Sequence, residues 1–429
     1  MQMAKLLIFD DGRGRWGPMT DRRPVFDLRT GALTTRARIE RVLGRPAAAL
    51  RVSERLAAVC REREAGSGET DGDPTGNAGG RDARPTVNGE LAAGPWLLVN
   101  GRWNAVLHGD LVGQLAVGRA LVEADGDLVA VCLEAAQATA LLAAGDGRLP
   151  ADVTRTELPD RVLLGRPWHV LDELPATLEA DLRAMALPEL DRAAHPGVHV
   201  IGNHPVRLGE HARVLPGVVL NAEAGPVVID AHALVHPFTM IEGPVYVGRH
   251  TTLAAHTALR PNTVIGPHCK VGGEVSAAIV HGHTNKAHAG YLGAALVGQW
   301  CNLGADTNVS NLKNTYGPVR VQLTPDSEPE DTGRVFHGPI VGDFVRTAIG
   351  SRLLTGSVIG TGCMLATAGF APKHLPAFAF HTDQSSLPHD IDRLLQTVQR
   401  MLARRDQTLS AAEADLFRTL HTVRTTAPV

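Results

Sequence analysis

The sequence predicts a Rossmann-like α/β domain at the N-terminus, a left-handed parallel β-helix in the middle and a short helical tail. Short apolar runs alternate with helical patterns over residues 1–190. From about 195 to 370, aliphatic residues recur at every sixth position, as at Val235, Ile241 and Val247. A period of six is typical of hexapeptide repeats, in which an aliphatic side chain points into a three-sided prism. Beyond the repeats, apolar residues return to helical spacing.

These patterns divide the chain into three parts, with residues 1–190, 191–375 and 376–429 as the expected domains. The tract 64–85 is rich in small and polar residues and has little to bury, so it predicts a disordered insert. An amphipathic pattern over 174–187 predicts a helix that connects the first two domains.

The six-residue period is interrupted twice, between 277 and 297 and again from Asn311 to Gly338. The second interruption contains the run TPDSEPEDTG, which cannot fill the prism and must loop out of it. Loops that leave a rigid scaffold often carry function, so both stretches are candidates for a site.

Charge and cysteine usage exclude several classes of protein. The 429 residues include 42 basic and 45 acidic ones, so no basic surface is expected for nucleic acid or an anionic membrane. The five cysteines show no paired spacing, which favours a reducing compartment. No apolar run is long enough to span a bilayer. We therefore expect a cytoplasmic protein with small-molecule substrates.

The segment 281–314 concentrates histidines, asparagines and one tyrosine. Asparagines such as Asn302 and Asn311 could have a structural role instead of a functional one, since asparagine amides can stack along a β-helix. His288 also could be a buried structural histidine. Its functional interpretation is a general base, because imidazole titrates near neutral pH and can deprotonate an amine.

The run HAGYLGAALVGQWCNLGADTNVSN, residues 288–311, resembles the acetyltransferase domain of the bifunctional glucosamine-1-phosphate acetyltransferase and N-acetylglucosamine-1-phosphate uridylyltransferase family. The spacing agrees without gaps. The resemblance implies that His288 is the general base and that Tyr291 belongs to the same site. It also implies that Asn302 and Asn311 contact the sugar or its amine.

Three further roles follow from this resemblance. Arg260, in LRPN, matches an arginine that binds the sugar phosphate, and the backbone N–H of Ala305 matches a contact to the thioester carbonyl. A phosphate-binding lysine of the family falls near Ser276, so Lys286 is the candidate replacement. The implied reaction is acetyl transfer from acetyl-CoA to an amino-sugar phosphate, with glucosamine 1-phosphate favoured, in a homotrimer with CoA between subunits.

The N-terminal run FDDGRGRWGPMTDRRPVFDLRTGAL, residues 9–33, resembles a shortened sugar nucleotidyltransferase domain of the same family. Glycines after the first strand let phosphates approach backbone N–H groups, and arginines can neutralise them. If this domain is active, Mg²⁺ and UTP are its cofactor and substrate, and the product is UDP-N-acetylglucosamine. A degenerate domain remains the alternative. The tentative nucleotide-binding residues are Asp11, Gly12, Arg13, Arg23, Arg29 and Asn100.

Two other functions stay open. One is a non-catalytic trimer that binds a sugar nucleotide. The other is a hexapeptide-fold zinc enzyme of the carbonic anhydrase type, with His283 and His288 joined by a third histidine from His250, His256 or His268. The run from Tyr291 to Asn311 favours acetyl transfer, for which no protein-bound metal is expected.

Overall fold

The structure is a computed structural model that describes residues 3–66, 84–145 and 147–426. The chain forms two compact units. The first contains Met1–Gly14 and Arg23–Arg166, and the second contains Arg15–Arg22 and Pro167–Val429. Most of the predicted disordered insert, residues 67–83, lies outside the described residues.

The first unit is a seven-stranded mixed sheet. Its strands are β1 (Lys5–Phe9), β2 (Ala49–Arg51), β3 (Thr86–Val87), β4 (Pro95–Asn100), β5 (Arg119–Val122), β6 (Leu128–Glu134) and β7 (Thr154–Glu157). Its helices are a 3₁₀ turn (Val25–Asp27), α1 (Thr35–Val42), α2 (Glu54–Ala65), α3 (Gly109–Gly113) and α4 (Ala135–Ala144).

The order of these strands is β3-β2-β1-β4-β6-β5-β7. Strands β1 and β4 are parallel neighbours, and β6 runs antiparallel to β4. Both central strands are almost fully buried, which explains their continuous apolar runs. The ends of β1 and β4 therefore meet the start of β6 at one edge of the sheet.

The second unit is a three-sided parallel β-helix. The first face has the strands Val206–Leu208, Val227–Ile229, Val245–Val247, Thr263–Ile265, Ile279–Val280, Leu296–Val297, Ile340–Val341, Val358–Ile359 and His374–Leu375. The second face has His199–Ile201, Val219–Asn221, Met240–Glu242, Ala258–Leu259, Glu274–Ser276 and Tyr291–Gly293, with a further pair at Asn308–Val309 and Arg352–Leu353.

The third face begins with Arg213–Val214, Leu234–Val235, Thr252–Leu253, Lys270–Val271 and Asn285–Lys286. Single bridges through Asn302 connect it to Arg346–Thr347, Met364–Ala366, Ala379–Thr382 and Ser386–Pro388. The remaining elements of this unit are a 3₁₀ turn (Gly17–Thr20), α5 (Pro167–Ala184), a hairpin (Arg320–Val321 and Glu330–Asp331), α6 (Ile391–Ala403) and α7 (Ala411–Thr426).

The six-residue period specifies the core of the prism. Ile229, Val247, Ile265 and Val280 pair in register on the first face, and all are buried. Each such side chain stabilises the fold by roughly 1.5–3 kcal/mol on burial. The predicted fold class is thus confirmed, with an α/β domain, a β-helix and C-terminal helices.

Several details differ from the expectations. The stretch 277–297 does not interrupt the β-helix, because it supplies a strand to each face in turn. The excursion after Asn311 does leave it and includes the hairpin. The helix predicted at 174–187 is α5, which begins at Pro167 and groups with the second unit. Within the described ranges, no helix is long and apolar enough to cross a membrane.

Candidate active site

Tyr291 and Asn311 form a hydrogen-bonded pair on the second face. The side-chain amide of Asn311 donates to the Tyr291 hydroxyl at 3.0 Å, and the Tyr291 backbone N–H donates to the Asn308 side-chain oxygen at 2.8 Å. A Cβ at Gly293 would lie 2.1 Å from that hydroxyl, so only glycine leaves room for the ring. Burial raises the pKa of Tyr291, against hydrogen bonds with Ser276 and Asn311. The hydroxyl therefore stays a neutral donor and acceptor.

His288 lies at the corner between the third and second faces, three residues before Tyr291, and its side chain is exposed. The corner is held from inside by Lys286, which is only 2% exposed. The Lys286 ammonium donates to the carbonyl oxygens of Gly272 (2.7 Å), Gly290 (2.6 Å) and His288 (3.2 Å). Burial lowers the pKa of Lys286 to about 8.

This position corrects the expectation that Lys286 replaces a phosphate-binding lysine. Its ammonium has three carbonyl acceptors inside the corner and does not face the surface. The sequence predicted a ligand contact because it gives the identity of Lys286 and its closeness to Ser276, but not the burial of its side chain. In the structure, Lys286 is a part of the scaffold that carries His288.

Arg260 lies on the second face between two carboxylates of the neighbouring coils. Its Nη1 is 2.6 Å from Glu242 Oε1, and its Nε is 3.2 Å from Glu274 Oε1. The hydrogen bond that Arg260 donates to Glu274 and the charge of Glu242 raise the pKa of Arg260. Arg260 is partly exposed, so a phosphate can reach it but must compete with these carboxylates. The two glutamates were missed in the sequence, although each is about one coil away from Arg260.

Asn302 and Ala305 lie elsewhere in the coil. Asn302 bridges Asn285 and Arg346 on the third face, and its side chain is exposed. Its backbone N–H donates to Val345 at 2.9 Å. The Ala305 carbonyl accepts from Gly350 at 2.8 Å in the turn that follows. Within one chain, the predicted site residues therefore fall on two faces of the prism.

A second cluster of charges lies in the first unit, where β1 and β4 end. Arg102 donates from Nε to both oxygens of Asp11 at 3.1 and 3.0 Å, and from Nη2 to Asp11 Oδ2 at 2.7 Å. The fully buried Asn100 donates to Asp11 Oδ2 at 2.9 Å and to the Leu128 carbonyl at 2.8 Å. Thus Asp11 and Asn100, both predicted nucleotide-binding residues, do come together.

Asp127 completes this cluster from the loop before β6. It forms ion pairs with Arg102 and Arg13. Partial burial raises its pKa, but hydrogen bonds from Arg102 and Arg13 outweigh this and leave the pKa lowered. Sequence reasoning missed Arg102 and Asp127. Arg102 lies only two residues beyond Asn100, but Asp127 approaches it only because β6 runs beside β4.

The other predicted residues of the first unit are Gly12, Arg23 and Arg29. Gly12 has a φ of 65°, and its N–H donates to Asp10 Oδ1 at 3.0 Å. Arg29 is buried and donates to the Ala32 carbonyl. Arg23 is buried as well. The structure therefore groups Asp11, Arg13 and Asn100 in one cluster and gives Arg29 a contact inside its own loop.

Three of the histidines considered for zinc, His250, His268 and His283, belong to a stack along one corner of the β-helix, whereas His256 stacks on Phe238. Neighbouring ring centroids from His211 through His232, His250, His268 and His283 are 5.1, 4.7, 4.8 and 4.7 Å apart. Imidazoles that face each other in this way do not direct their nitrogen atoms at a common point. In the part of the chain that the structure describes, no three histidine, cysteine or acidic residues are placed to hold a metal.

Known proteins are similar to parts of this chain. Residues 6–187 match the family described as sugar nucleotidyl transferase. The bifunctional protein GlmU of Methanocaldococcus jannaschii is 29% identical over 107 residues, which are 25% of this chain and 26% of that protein. For GlmU of Gloeobacter violaceus, the identity is 30% over 132 residues, 30% of this chain and 25% of that protein.

A third relative, GlmU of a Synechococcus species, is 30% identical over 190 residues, covering 43% of this chain and 26% of that protein. The chain thus spans about a quarter of the length of these relatives. A solved structure of PerB from Caulobacter crescentus, in complex with CoA and GDP-perosamine, is 15% identical and covers 65% of this chain and 100% of that chain. Its TM-score of 0.10 supports no argument.

These similarities define the class first: residues 6–187 are similar to sugar nucleotidyl transferases, and the chain resembles transferases. They also confirm the predicted resemblance to the bifunctional GlmU family.

Proposed function

We propose that the protein is an acetyl-CoA-dependent N-acetyltransferase of amino-sugar phosphates, with glucosamine 1-phosphate as the favoured acceptor. The observation that carries this proposal is the Tyr291–Asn311 pair on the second face, 3.0 Å apart, next to the exposed corner of His288. An accessible imidazole beside neutral hydroxyl and amide groups is suited to deprotonating a sugar amine and orienting it.

The reaction follows from these groups. The amino sugar arrives as an ammonium, and His288 accepts one proton from it. The free amine attacks the thioester carbonyl carbon, and the backbone N–H of Ala305 stabilises the developing oxyanion. The tetrahedral intermediate then collapses in a step in which the new C–N bond is kept and the C–S bond breaks. His288 then returns its proton to the leaving CoA thiolate, and the acylated nitrogen releases its second proton to water.

A homotrimer is part of the proposal. Tyr291 and Asn311 belong to the second face, whereas Asn302 and Ala305 belong to the third face or its turn. A single prism cannot direct two of its faces at one substrate. Two subunits of a trimer can, because the second face of one then adjoins the third face of the next. Light scattering of the purified chain measures this assembly directly. A cytoplasmic location is also part of the proposal, and the five cysteines, all buried, are expected to stay reduced there.

The phosphate of the acceptor is assigned to Arg260. A guanidinium offers paired donors to phosphate oxygens, and the resemblance matches Arg260, in LRPN, to the phosphate-binding arginine of the family. Because Glu242 and Glu274 already bind it, we expect weaker selection for a phosphorylated acceptor than an unpaired arginine gives.

The test is release of free thiol from acetyl-CoA with glucosamine 1-phosphate, and with glucosamine as the unphosphorylated comparison. We expect His288→Ala to abolish thiol release while the trimer remains. The control is His256→Ala, at an exposed corner that stacks on Phe238 instead. A His288 variant that turns over at the wild-type rate would refute the assigned base.

The alternative of a non-catalytic sugar-nucleotide-binding trimer predicts a different result. In that case no acceptor supports thiol release, and UDP-N-acetylglucosamine binds without being converted. Addition of UTP to the acetylated product, with pyrophosphate as readout, tests the uridylyl transfer that the resemblance implies.

A further inference from the structure

We propose that the guanidinium of Arg102 stands in the place of a divalent cation at the end of β1 and β4, so the first unit handles its ligand without Mg²⁺. The family resemblance implies Mg²⁺ for nucleotidyl transfer, but the residues at this edge do not fit it. This inference concerns the first unit only and is independent of acetyl transfer by the second.

Two carboxylates follow the end of β1. Asp10 accepts from the backbone N–H groups of Gly12 at 3.0 Å and Val25 at 3.1 Å. Asp11 is the one that contacts Asn100 and Arg102, and both of its oxygens are engaged. Oδ1 accepts from the Arg102 Nε at 3.1 Å and from the Arg13 backbone N–H at 2.9 Å. Oδ2 accepts from Arg102 at 3.0 and 2.7 Å and from Asn100 at 2.9 Å. The Asp11 carboxylate therefore has a full set of donors around it.

Asn100 is turned the wrong way for a metal ligand. Mg²⁺ is bound by oxygen, and an amide can contribute only its carbonyl oxygen. The Asn100 oxygen accepts from the Arg102 backbone N–H at 2.9 Å, while its NH₂ group points at Asp11. The second NH₂ bond, to the Leu128 carbonyl at 2.8 Å, fixes this orientation. The amide therefore presents N–H groups to the place where a cation would bind.

Asp127 is the second carboxylate, and it too is held by guanidinium groups. One oxygen is paired with Arg102 and the other with Arg13. The Arg102 side chain is only 5% exposed, and it joins Asp11 and Asp127 as a bridging cation would. A guanidinium in this position supplies positive charge and several directed donors but has no open coordination site.

The charges around Arg102 keep its guanidinium protonated. Burial alone disfavours a charged Arg102, but the hydrogen bonds and charges of Asp11 and Asp127 outweigh it and leave its pKa raised. Arg102 thus remains a cation at every physiological pH. A divalent ion would have to enter beside this charge and that of Arg13, and it would have to displace their hydrogen bonds.

The experiment is a titration of the full chain with Mn²⁺, a paramagnetic substitute for Mg²⁺. Binding is measured by electron paramagnetic resonance, as the decrease in the signal of the free ion. The wild-type chain is expected to bind no more Mn²⁺ than its Asp11→Asn variant. Arg102→Met is expected to gain one saturable site per chain, which the double change of Arg102→Met with Asp127→Asn removes. Arg13→Met is the matched control and gains none, since Asp11 stays engaged.

Two results would overturn the proposal. One is a saturable wild-type site that Asp11→Asn removes, or Mg²⁺-dependent pyrophosphate release from UTP that the same variant abolishes. The other is an Arg102→Met chain that keeps the wild-type circular dichroism and still binds no additional Mn²⁺, because the guanidinium would then not be what excludes the ion. If Arg102→Met does not fold, the wild-type titration and pyrophosphate assay still decide. Neither arm uses thiol release, so failure of the proposed acetyl transfer is seen separately.

Discussion

Replacing Lys286 by methionine should destabilise the β-helix locally, and the structure allows the size of the effect to be worked out. The change removes an ammonium that donates to three carbonyls, those of Gly272, His288 and Gly290. A buried polar group that loses its partner costs roughly 1–3 kcal/mol. The Gly290 carbonyl keeps the backbone N–H of Glu274 as a donor at 3.3 Å. The other two carbonyls lose this donor and together cost roughly 2–6 kcal/mol, at the lower end if water reaches the exposed side of the corner.

An opposing contribution comes from the charge itself. Burial lowers the pKa of Lys286 from 10.5 to about 8. That shift corresponds to about 3 kcal/mol of penalty for holding the charged form in the folded state at neutral pH, which methionine removes. Subtracting this penalty leaves an expected net loss for Lys286→Met of up to about 3 kcal/mol, which is largest if water does not reach the two carbonyls.

The pH dependence gives an independent check. Between pH 8 and 10.5, the unfolded chain binds the Lys286 proton and the folded chain does not, so this group makes stability rise with pH in that window. Lys286→Met should lack that rise. Below pH 8 both states are protonated, and the contribution is constant.

Hydrogen exchange of peptides from 263–297, in increasing urea at pH 7 and at pH 10, measures both quantities. Lys270→Met is the matched control, since Lys270 is an exposed lysine on the preceding strand of the same face. The reasoning fails if Lys286→Met opens at the same urea concentration as the control, or if it shows the wild-type rise with pH.

Three further changes have defined outcomes. Glu242→Gln should lower the KM for glucosamine 1-phosphate by a factor of roughly 1.4 to 5, since an exposed ion pair on Arg260 is worth about 0.2–1 kcal/mol, and should leave the KM for glucosamine unchanged. Gly293→Ala displaces the Tyr291 hydroxyl, which would lie 2.1 Å from the new methyl group, and should lower kcat/KM about 100-fold. Burial lowers the pKa of His337 to about 4. As pH falls below 6.5, the unfolded chain therefore gains this proton before the folded chain does, and about 3 kcal/mol of stability should be lost by pH 4. In His337→Met, the urea midpoint of unfolding should fall less steeply with decreasing pH.

Controls decide between these predictions and general damage. An unchanged KM ratio between the two acceptors in Glu242→Gln would show that the glutamate does not compete with phosphate. A Gly293→Ala chain with wild-type turnover would mean that the hydroxyl is not needed where it lies. Equal acid sensitivity with and without His337 would assign the loss to other groups.

The fold was predictable because the prism imposes its period directly on the sequence. Each coil needs an inward aliphatic residue on each face, so residues such as Ile241 and Val247 reveal the architecture. The stretch 277–297 was misjudged since its polar residues occupy corners and strands that look irregular in sequence. Lys286 is the clearest case. A buried lysine is not expected among the aliphatic residues that fill the prism, but its ammonium donates hydrogen bonds to the carbonyls of its own corner.

The candidate site was predictable only in part. The placement of Tyr291 beside Asn311 follows from stacking one coil on the next. The contact of Arg102 with Asp11 depends instead on the order of strands in a sheet, and these residues lie far apart in the chain. No local pattern marks such a pair. The same holds for Asp127, which is an ordinary loop aspartate until β6 brings it beside the cluster.

The excursion after Asn311 has a consequence for how relatives of this protein should be compared. Its two ends are tied together, since the His337 N–H donates to the Asn311 carbonyl at 2.8 Å. On the first face, Leu296 then pairs with Ile340 in the same parallel manner as Ile279 pairs with Leu296. The number of residues between two successive coils therefore does not determine how far apart these coils lie along the prism. An alignment that counts coils will keep equivalent surface positions together, whereas one that penalises gaps by length will misplace everything beyond this loop.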